Sequence, residues 1–425
     1  MAHSHTHDEV TLPRREARRV RWVLTALVAP LLLATIAGLV ALWPRGETEI
    51  GSIPVTGTGM SVETGTVVEV VDDGTGGSAD PGAPQGGGAE QAGGQVRVEL
   101  STGRGAGQVV PVQVPPEIMA NGMEAGDELR LLFSPQAMGT GSPYVFWDFE
   151  RRAPVGWLAL GYGLVVLAVA RLRGLAAMAG LGASLAVITV FVIPAIMLGS
   201  SPVLVALVGS AAMLFFSLYL AHGISIRTTT ALLGTFVGLA VTVLLATWGT
   251  RAANLTGSTS DASLFLNSHF PNLSLTDLLL CGIVIAGLGA LNDVTITQAS
   301  AVWELHAADP AASRRTLMGR GMRIGRDHIA STVYTLAFAY VGTALPVLMS
   351  AALMDRAVMD TLMAGEIAEE IVRTLVSSIG LVLAIPATTG IAVALVRTSA
   401  GRGRSERSHT GGGLPEGAGT ATMAG

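Results

Sequence analysis

Apolar runs of 18 to 23 residues recur along the chain and constrain its fold more than any other feature. Each run is long enough to cross about 30 Å of hydrocarbon as an α-helix, because a helix rises about 1.5 Å per residue. Only 13% of the residues are charged, against roughly 25% in an average soluble domain. The sequence therefore predicts an α-helical polytopic membrane protein with eight spans, at 23–43, 155–172, 175–196, 203–221, 229–249, 275–294, 329–350 and 374–396.

The arginines set the predicted orientation. All 26 residues counted as Lys+Arg are Arg, and short cytoplasmic loops carry an excess of positive charge. If the N-terminus lies in the cytoplasm, the short extracytoplasmic segments contain only three arginines, Arg251, Arg356 and Arg373. We therefore expect both termini in the cytoplasm. Heavy use of Arg, Ala and Gly is typical of a GC-rich, actinobacterial genome, so the expected location is the plasma membrane of such a bacterium, with the lipid bilayer as its first partner.

The segment 44–154 between the first two spans has a different pattern. It contains five short, β-branched or alternating runs, separated by Gly-rich turns: GTVVEVV, QVRVEL, QVVPVQV, DELRLLF and YVFWDF. Such runs predict a small all-β extracytoplasmic domain, an antiparallel barrel of OB or SH3-like type. The Gly-rich stretch 72–94 is expected to be a disordered insertion. The barrel serves either as a stable outer domain that contacts a protein partner or as a ligand site.

The two ends of the chain predict disordered cytoplasmic tails, at 1–22 and 397–425. His3, His5 and His7 alternate near the N-terminus, a pattern that binds metal weakly or belongs to a solvated tail. We predict no metal site, no cofactor and no enzyme activity, because the sequence contains neither a Walker A loop nor an HExxH motif. The net charge of −5 and the lack of a basic stripe argue against a nucleic-acid partner.

A stripe of polar residues begins near the end of the sixth span, in the stretch GALNDVTITQASAVWELHAADP. Asp293, Thr297, Ser300 and Glu304 fall on one helical face, with Asn292 beside them. A second stripe, in the seventh span, consists of His328, Ser331 or Thr332, Thr335 and Thr343, and it directly follows the charged Arg326 and Asp327. The two stripes predict either a path for an ion or small solute between the sixth and seventh spans, or a solvated extension in which the sixth span ends near Val294. Arg326 and His328 are the expected partners of Asp293.

The last span contains Pro386, followed by Thr388 and Thr389. Proline removes one backbone hydrogen bond, so the pattern predicts a kink or break in the middle of the membrane. Broken helices of this kind occur at transporter sites, and a plain proline kink is the other interpretation.

Residues from 286 to about 347 resemble the signature region of the bacterial YibE/F family of multipass membrane proteins. The similarity rests on ALNDVTITQASAVWELHAADP and LMGRGMRIGRDHIASTVYTLAFAYVGTALP. The resemblance implies that Asp293, Ser300, Glu304, Gly321, Met322, Gly325, Arg326, Asp327, Thr332 and Thr335 are the family's signature positions here. Tyr334 departs from the Asn expected in the family, which puts a ligand role at that position in doubt.

Two functions follow from these patterns. The first is a secondary transporter or channel that moves an unidentified small solute or ion along the seam between the sixth and seventh spans. The second is a non-transporting membrane scaffold or envelope-stress component, which acts through a protein partner of the outer domain.

Overall fold

The computed structural model describes residues 14–48, 50–52, 59–71, 94–138 and 142–396. These form two compact units, one within Glu49–Val169 and the other made of the N-terminal helix and the chain from Ala170 onward. The three predicted segments of tail and insertion lie largely outside the described residues. Helix α1 (Arg14–Ala41) nevertheless begins at Arg14, so the last part of the predicted N-terminal tail is helical.

The first unit contains a closed β-barrel of five strands, β1 (Ser61–Val71), β2 (Gly94–Leu100), β3 (Val109–Val114), β4 (Glu128–Phe133) and β5 (Tyr144–Phe149). All five predicted strands are present. The strands are ordered β1-β2-β3-β5-β4 around the barrel, and the short helix α2 (Pro116–Ala120) lies between β3 and β4. This arrangement is that of the OB type. The barrel is not wholly antiparallel, because β3 and β5 pair in parallel at Gln113 and Val145.

Every second side chain along the strands points inward and fills the barrel core. The buried side chains of β2 are Val96, Val98 and Leu100, and those of β4 are Leu129, Leu131 and Phe133. Inward residues therefore recur at every second position, as expected for strands with one buried face.

The helices that follow the barrel are α3 (Arg152–Val187), a π-helical stretch Ile188–Val192 and α4 (Ile193–Met197). Arg171 has non-helical dihedral angles, φ 54° and ψ −136°, inside α3. The run from Arg152 to Met197 has 46 residues, about 69 Å at 1.5 Å per residue. That length is more than twice the hydrocarbon thickness of about 30 Å, and Arg171 lies at the end of the predicted span 155–172, next to the predicted turn.

The remaining helices are α5 (Pro202–His222), α6 (Ile226–Ala252), α7 (Asp261–His269), α8 (Leu275–Ala308), α9 (Arg314–Thr343), α10 (Leu345–Ala352), α11 (Val358–Leu362) and α12 (Gly365–Leu395). Four of them begin at a serine that accepts a backbone hydrogen bond, as helix N-caps do. These N-cap residues are Ser225 for α6, Ser260 for α7, Ser274 for α8 and Ser313 for α9.

Helices α6, α8 and α12 pack against one another at the centre of the second unit. Helix α5 packs on α8, α9 packs on α8 and α12, and α1 contacts α5 and α6. Six helices of the described chain are long and apolar enough to cross a membrane, or seven if α9 and α10 are taken as one bent span. The protein is thus membrane-embedded and polytopic.

The spans differ from the prediction in two features. Helix α12 is continuous through Pro386, so the predicted break is wrong, and the plain proline kink is the interpretation that remains. The hydroxyls of Thr388 and Thr389 donate to the carbonyls of Ala384 and Ile385 at 2.7 and 2.8 Å, within the same helix. A bend that the sequence did not predict lies between α9 and α10, whose axes differ by 63°, directly before Pro346 in the first turn of α10.

Candidate functional site

Close contacts between glycines and small side chains hold the central three helices together. Gly238 of α6 approaches α8 and α12 so closely that an added Cβ would lie 2.7 Å from Leu291 Cδ2 and 2.9 Å from Ala384 Cβ. An added Cβ at Gly234 would overlap Thr388 Oγ1, and one at Gly380 would overlap Thr242 Oγ1. Small residues at such crossings allow helix backbones to approach in a membrane.

A constant register relates α6 to α8, and it gives the depth of each residue in the bundle. The two helices are antiparallel, because in three contacts spread along them the paired residue numbers add up to nearly the same value. Gly238 meets Leu291, Thr235 Oγ1 lies 2.6 Å from Thr295 Oγ1, and Arg227 Nη1 lies 2.7 Å from Glu304 Oε1. The midpoint of α6, residue 239, is therefore level with Leu291.

This register shows how the predicted fifth and sixth spans lie relative to each other. The predicted span 229–249 of α6 is level with about 281–301 of α8, and not with 275–294. Asp293 then lies only about 3 Å from the level of the midpoint of α6, at 1.5 Å per residue. Beyond Val294, the residues Thr295, Gln298 and Trp303 are buried inside the bundle, so α8 stays packed against its neighbours past the end of the predicted span.

Gln298 joins three helices at a level about 10 Å from that of Leu291. Its Nε2 donates to Thr389 Oγ1 at 2.7 Å and to the carbonyl of Gly321 at 2.9 Å. The side chain is buried, at 1% exposure, and its Oε1 has no hydrogen-bond partner among the described residues. An added Cβ at Gly325 would lie 3.2 Å from that oxygen. We call Gln298, Gly321, Gly325 and Thr389 the Gln298 cluster.

The polar stripe of α8 lies away from this cluster, on an open face. Asp293 and Glu304 are exposed, whereas Thr297 and Ser300 are half-buried. Thr297 donates to the carbonyl of Asp293 at 2.9 Å. Asn292 points to the other side, where its Nδ2 approaches Ser217 Oγ of α5 at 3.5 Å.

The polar stripe of α9 is also open. Arg326, Asp327, His328 and Thr335 are exposed, and Thr332 is half-buried, with its hydroxyl donating to the carbonyl of His328 at 2.8 Å. The buried side of α9 consists of Leu317, Gly321, Gly325 and Leu336. Since Gly325 contacts Gln298 and the helices are antiparallel, His328 lies within about one turn of the level of Asp293.

The expected ion pairs of Asp293 are absent among the described residues. The ion pairs of the described residues include no contact from Asp293 to Arg326 or His328. Glu304 pairs with Arg227 of α6 instead of α9. The residues of the predicted seam therefore form two exposed polar faces, whereas the buried contact of α8 with α9 is made by the Gln298 cluster.

A profile of YibE/F-like proteins matches residues 158–398, more than half of the 425-residue chain. The chain belongs to the YibE/F-like family. The match covers α5 to α12, including the Gln298 cluster and both polar faces, and confirms the resemblance inferred from the sequence. Neither a curated protein nor a solved structure matches the chain.

Sequence patterns did not identify Gln298 as a site residue of this YibE/F-like protein, because it lies off the Asp293 stripe, five positions along α8. The signal was nevertheless present in α9, where Gly321 and Gly325 are spaced for close helix contact. The pairing of Thr235 with Thr295 had no such signal, since α6 carries many threonines and only the register selects one of them.

Proposed function

We propose that this YibE/F-like protein is a transport protein of the bacterial plasma membrane, which moves a small solute or ion along the open polar faces of α8 and α9. The proposed topology has eight crossings. It takes the run Arg152–Met197 as two spans that separate at Arg171, and α9 with α10 as one bent span. The arginine-rich start of α9 then lies in the cytoplasm together with both termini, in agreement with the positive-inside rule.

The observation that carries the proposal is the depth of Asp293 and His328. Both side chains are exposed on the bundle surface, and both lie near the level of the midpoint of α6. A charged side chain at the centre of a bilayer costs at least ~2.5 kcal/mol, and such residues mark ion or proton pathways in membrane proteins. Asp293 and His328 therefore fit a surface that faces water rather than lipid.

The chemistry of these faces suits a cation or a proton. Asp293 supplies a carboxylate and His328 an imidazole, which are side-chain types found along ion and proton pathways inside membranes. The hydroxyls of Thr297 and Thr332 add polar groups one turn away on each helix. Since both hydroxyls donate to carbonyls of their own helix, their oxygens keep lone pairs for a cation.

A flux assay in proteoliposomes tests the proposal. The full chain is compared with Asp293→Asn under imposed gradients of H⁺, Na⁺, K⁺ and divalent cations, with empty vesicles as the baseline. We expect flux of one ion in the wild type and its loss in Asp293→Asn. The matched control is Asp277→Asn, because Asp277 is an acidic residue in the first turn of the same helix and lies outside the polar stripe. This control should keep its flux.

A labelling experiment tests whether water reaches the polar face of α8. In a Cys281→Ser background, which removes the one cysteine, we expect Asp293→Cys and Thr297→Cys to react with a membrane-impermeant thiol reagent. Leu244→Cys serves as the control, since Leu244 is 71% exposed on α6 and apolar. If all three sites are equally unreactive and no ion moves, the path is refuted, and the alternative role as a scaffold that acts through the outer barrel is favoured.

A further inference from the structure

A cavity of about 910 Å³ lies at the end of the bundle opposite the Arg227–Glu304 pair. It is bounded by the first turns of α8 and α12, the last turn of α9, and α10. Its volume falls within the range of small-molecule sites, which are roughly 300–1,000 Å³. Its walls are apolar over most of their surface, with Leu275, Leu278, Leu279, Val347, Leu348 and Ile371 among the lining residues.

Charged residues from the first turns of α12 give this cavity an acidic character. Glu366, Glu369, Glu370 and Arg373 all line it, so three carboxylates face one guanidinium. Glu369 is occupied by the loop before α7, since its two oxygens accept from Gly257 N at 3.2 Å and Thr259 Oγ1 at 3.0 Å.

The other two carboxylates leave capacity for a ligand. Glu370 Oε1 lies 3.1 Å from Arg373 Nη1, but its Oε2 is buried and has no hydrogen-bond partner among the described residues. Glu366 is exposed, is one helical turn from Glu370, and takes part in none of the ion pairs of the described chain. Like charges at this spacing repel each other, and a cation between them would relieve the repulsion.

We infer that this cavity binds a monovalent organic cation with an apolar body, such as a lipophilic ammonium or phosphonium ion. The apolar walls would bury the body of the ligand, and Glu366 and Glu370 would pair with its charge. Tyr340 also lines the cavity, and a tyrosine ring attracts a nearby cation. An inorganic metal ion fits less well, because no group of three or more metal-ligating side chains occurs in the part of the chain that the structure describes. The inference does not depend on the proposed transport.

Two glycines of α8 offer a matched pair of variants for the test. Gly282 lines the cavity, and no atom lies within 4 Å of a Cβ added there. The Cβ of a leucine at this position would therefore stand in open space at the cavity wall. Gly289 is equally open, with no atom within 4 Å, but it does not line the cavity. Gly282→Leu should therefore block the cavity, and Gly289→Leu should not.

The experiment is equilibrium dialysis of the full chain in dodecylmaltoside with tetraphenylphosphonium, and with tetraphenylborate as an anion of the same shape. We expect the wild type to bind the cation in preference to the anion by at least tenfold. Gly282→Leu should weaken cation binding at least tenfold, and Glu366→Gln should weaken it severalfold. Gly289→Leu should bind as the wild type does.

Several results would overturn the inference: no binding of the cation to the wild type, equal binding of cation and anion, or equal weakening by both leucine variants. Glu366→Gln keeps the test open if Gly282→Leu does not fold, because Glu366 is exposed and outside the ion pairs. Added phosphatidylethanolamine separates the two sources of an ammonium group. If this lipid displaces tetraphenylphosphonium, the ligand is a lipid headgroup; if it does not, the ligand is a free organic cation.

Discussion

Gln298 Nε2 donates to Thr389 Oγ1 across 2.7 Å, and this hydrogen bond fixes α8 against α12 deep inside the bundle. The same nitrogen donates to the carbonyl of Gly321 at 2.9 Å, so one amide group joins three helices. Thr389 Oγ1 itself donates to Ile385 O, which leaves it free to accept. The bond orients the amide so that its oxygen, rather than its nitrogen, has no partner among the described residues.

Thr389→Val removes the acceptor and keeps the shape of the side chain. We expect a loss of about 0.5–1.5 kcal/mol in the free energy of unfolding, because buried hydrogen bonds between membrane helices contribute modestly. Thr332→Val is the control, since its hydroxyl bonds only to His328 O of the same helix. Unfolding in mixed detergents should show a larger loss for Thr389→Val than for Thr332→Val. Equal losses would mean that the bond to Gln298 contributes nothing beyond an ordinary hydroxyl.

The crossing of α6 and α12 predicts a strong effect for one small substitution. An alanine at Gly234 would place its Cβ against Thr388 Oγ1, and the β-branched Thr388 has little freedom to move. We expect Gly234→Ala to lower the free energy of unfolding by about 1–3 kcal/mol. This loss should appear although alanine favours helix over glycine by about 1 kcal/mol.

Gly289→Ala tests the same substitution on an open surface. No atom lies within 4 Å of its added Cβ, so only the gain in helix propensity remains. Thermal unfolding should leave this variant as stable as the wild type or more stable. A Gly234→Ala variant that gained as much as Gly289→Ala would contradict the close crossing.

The sequence predicted the strands of the barrel and the locations of the membrane helices because both depend on local periodicity. Alternation in QVRVEL, for example, gives the buried Val96, Val98 and Leu100 of β2. The depth of Asp293 could not be predicted in this way. Apolar runs locate a helix but not its register, and here the register depends on contacts such as Gly238 with Leu291, which are far apart in the chain.

The predicted break at Pro386 failed for a different reason. A proline removes one hydrogen bond, but neighbouring helices and hydroxyls can compensate for the freed groups in a membrane helix. Ile385 and Thr389 are fully buried on either side of Pro386, so the packing of α12 between α6, α8 and α9 holds the helix continuous. Similarly, the partner of Glu304 was not predictable, because Arg227 lies on a helix distant in sequence.

Two hydrogen bonds to Glu369 of α12 hold the loop between α6 and α7. The Oε2 of Glu369 accepts from Thr259 Oγ1 at 3.0 Å, and Thr259→Val removes this bond while the contact with Gly257 N remains. We expect faster amide hydrogen exchange around Gly257, because the loop loses one of two attachments to α12. Thr256→Val is a suitable control, since the hydroxyl of Thr256 pairs with the exposed Ser258 Oγ rather than with α12. Unchanged amide hydrogen exchange around Gly257 in Thr259→Val would show that this hydrogen bond does not hold the loop.

The stability of the folded barrel depends on pH through Tyr144. Burial raises the pKa of the Tyr144 hydroxyl above 10.0, and the charge of Glu63 and a hydrogen bond to it raise this pKa further. The folded barrel therefore holds the phenol proton more tightly than the unfolded chain does. The resulting stability is fully present below the ordinary tyrosine pKa and is lost as the pH rises through the higher folded value.

Glu63→Gln should lower the pKa of Tyr144 towards its ordinary value, because it removes the negative charge and keeps the size of the side chain. Near-ultraviolet absorbance of tyrosinate measures this change when each variant is compared with the corresponding Tyr144→Phe protein, which isolates one of the chain's 5 tyrosines. Glu69→Gln is the matched control, since Glu69 lies on the same strand but forms an exposed ion pair with Arg97. We expect no change in the Tyr144 titration for this variant. If Glu63→Gln also leaves the titration unchanged, burial alone accounts for the raised pKa, and the carboxylate of Glu63 does not act on the phenol.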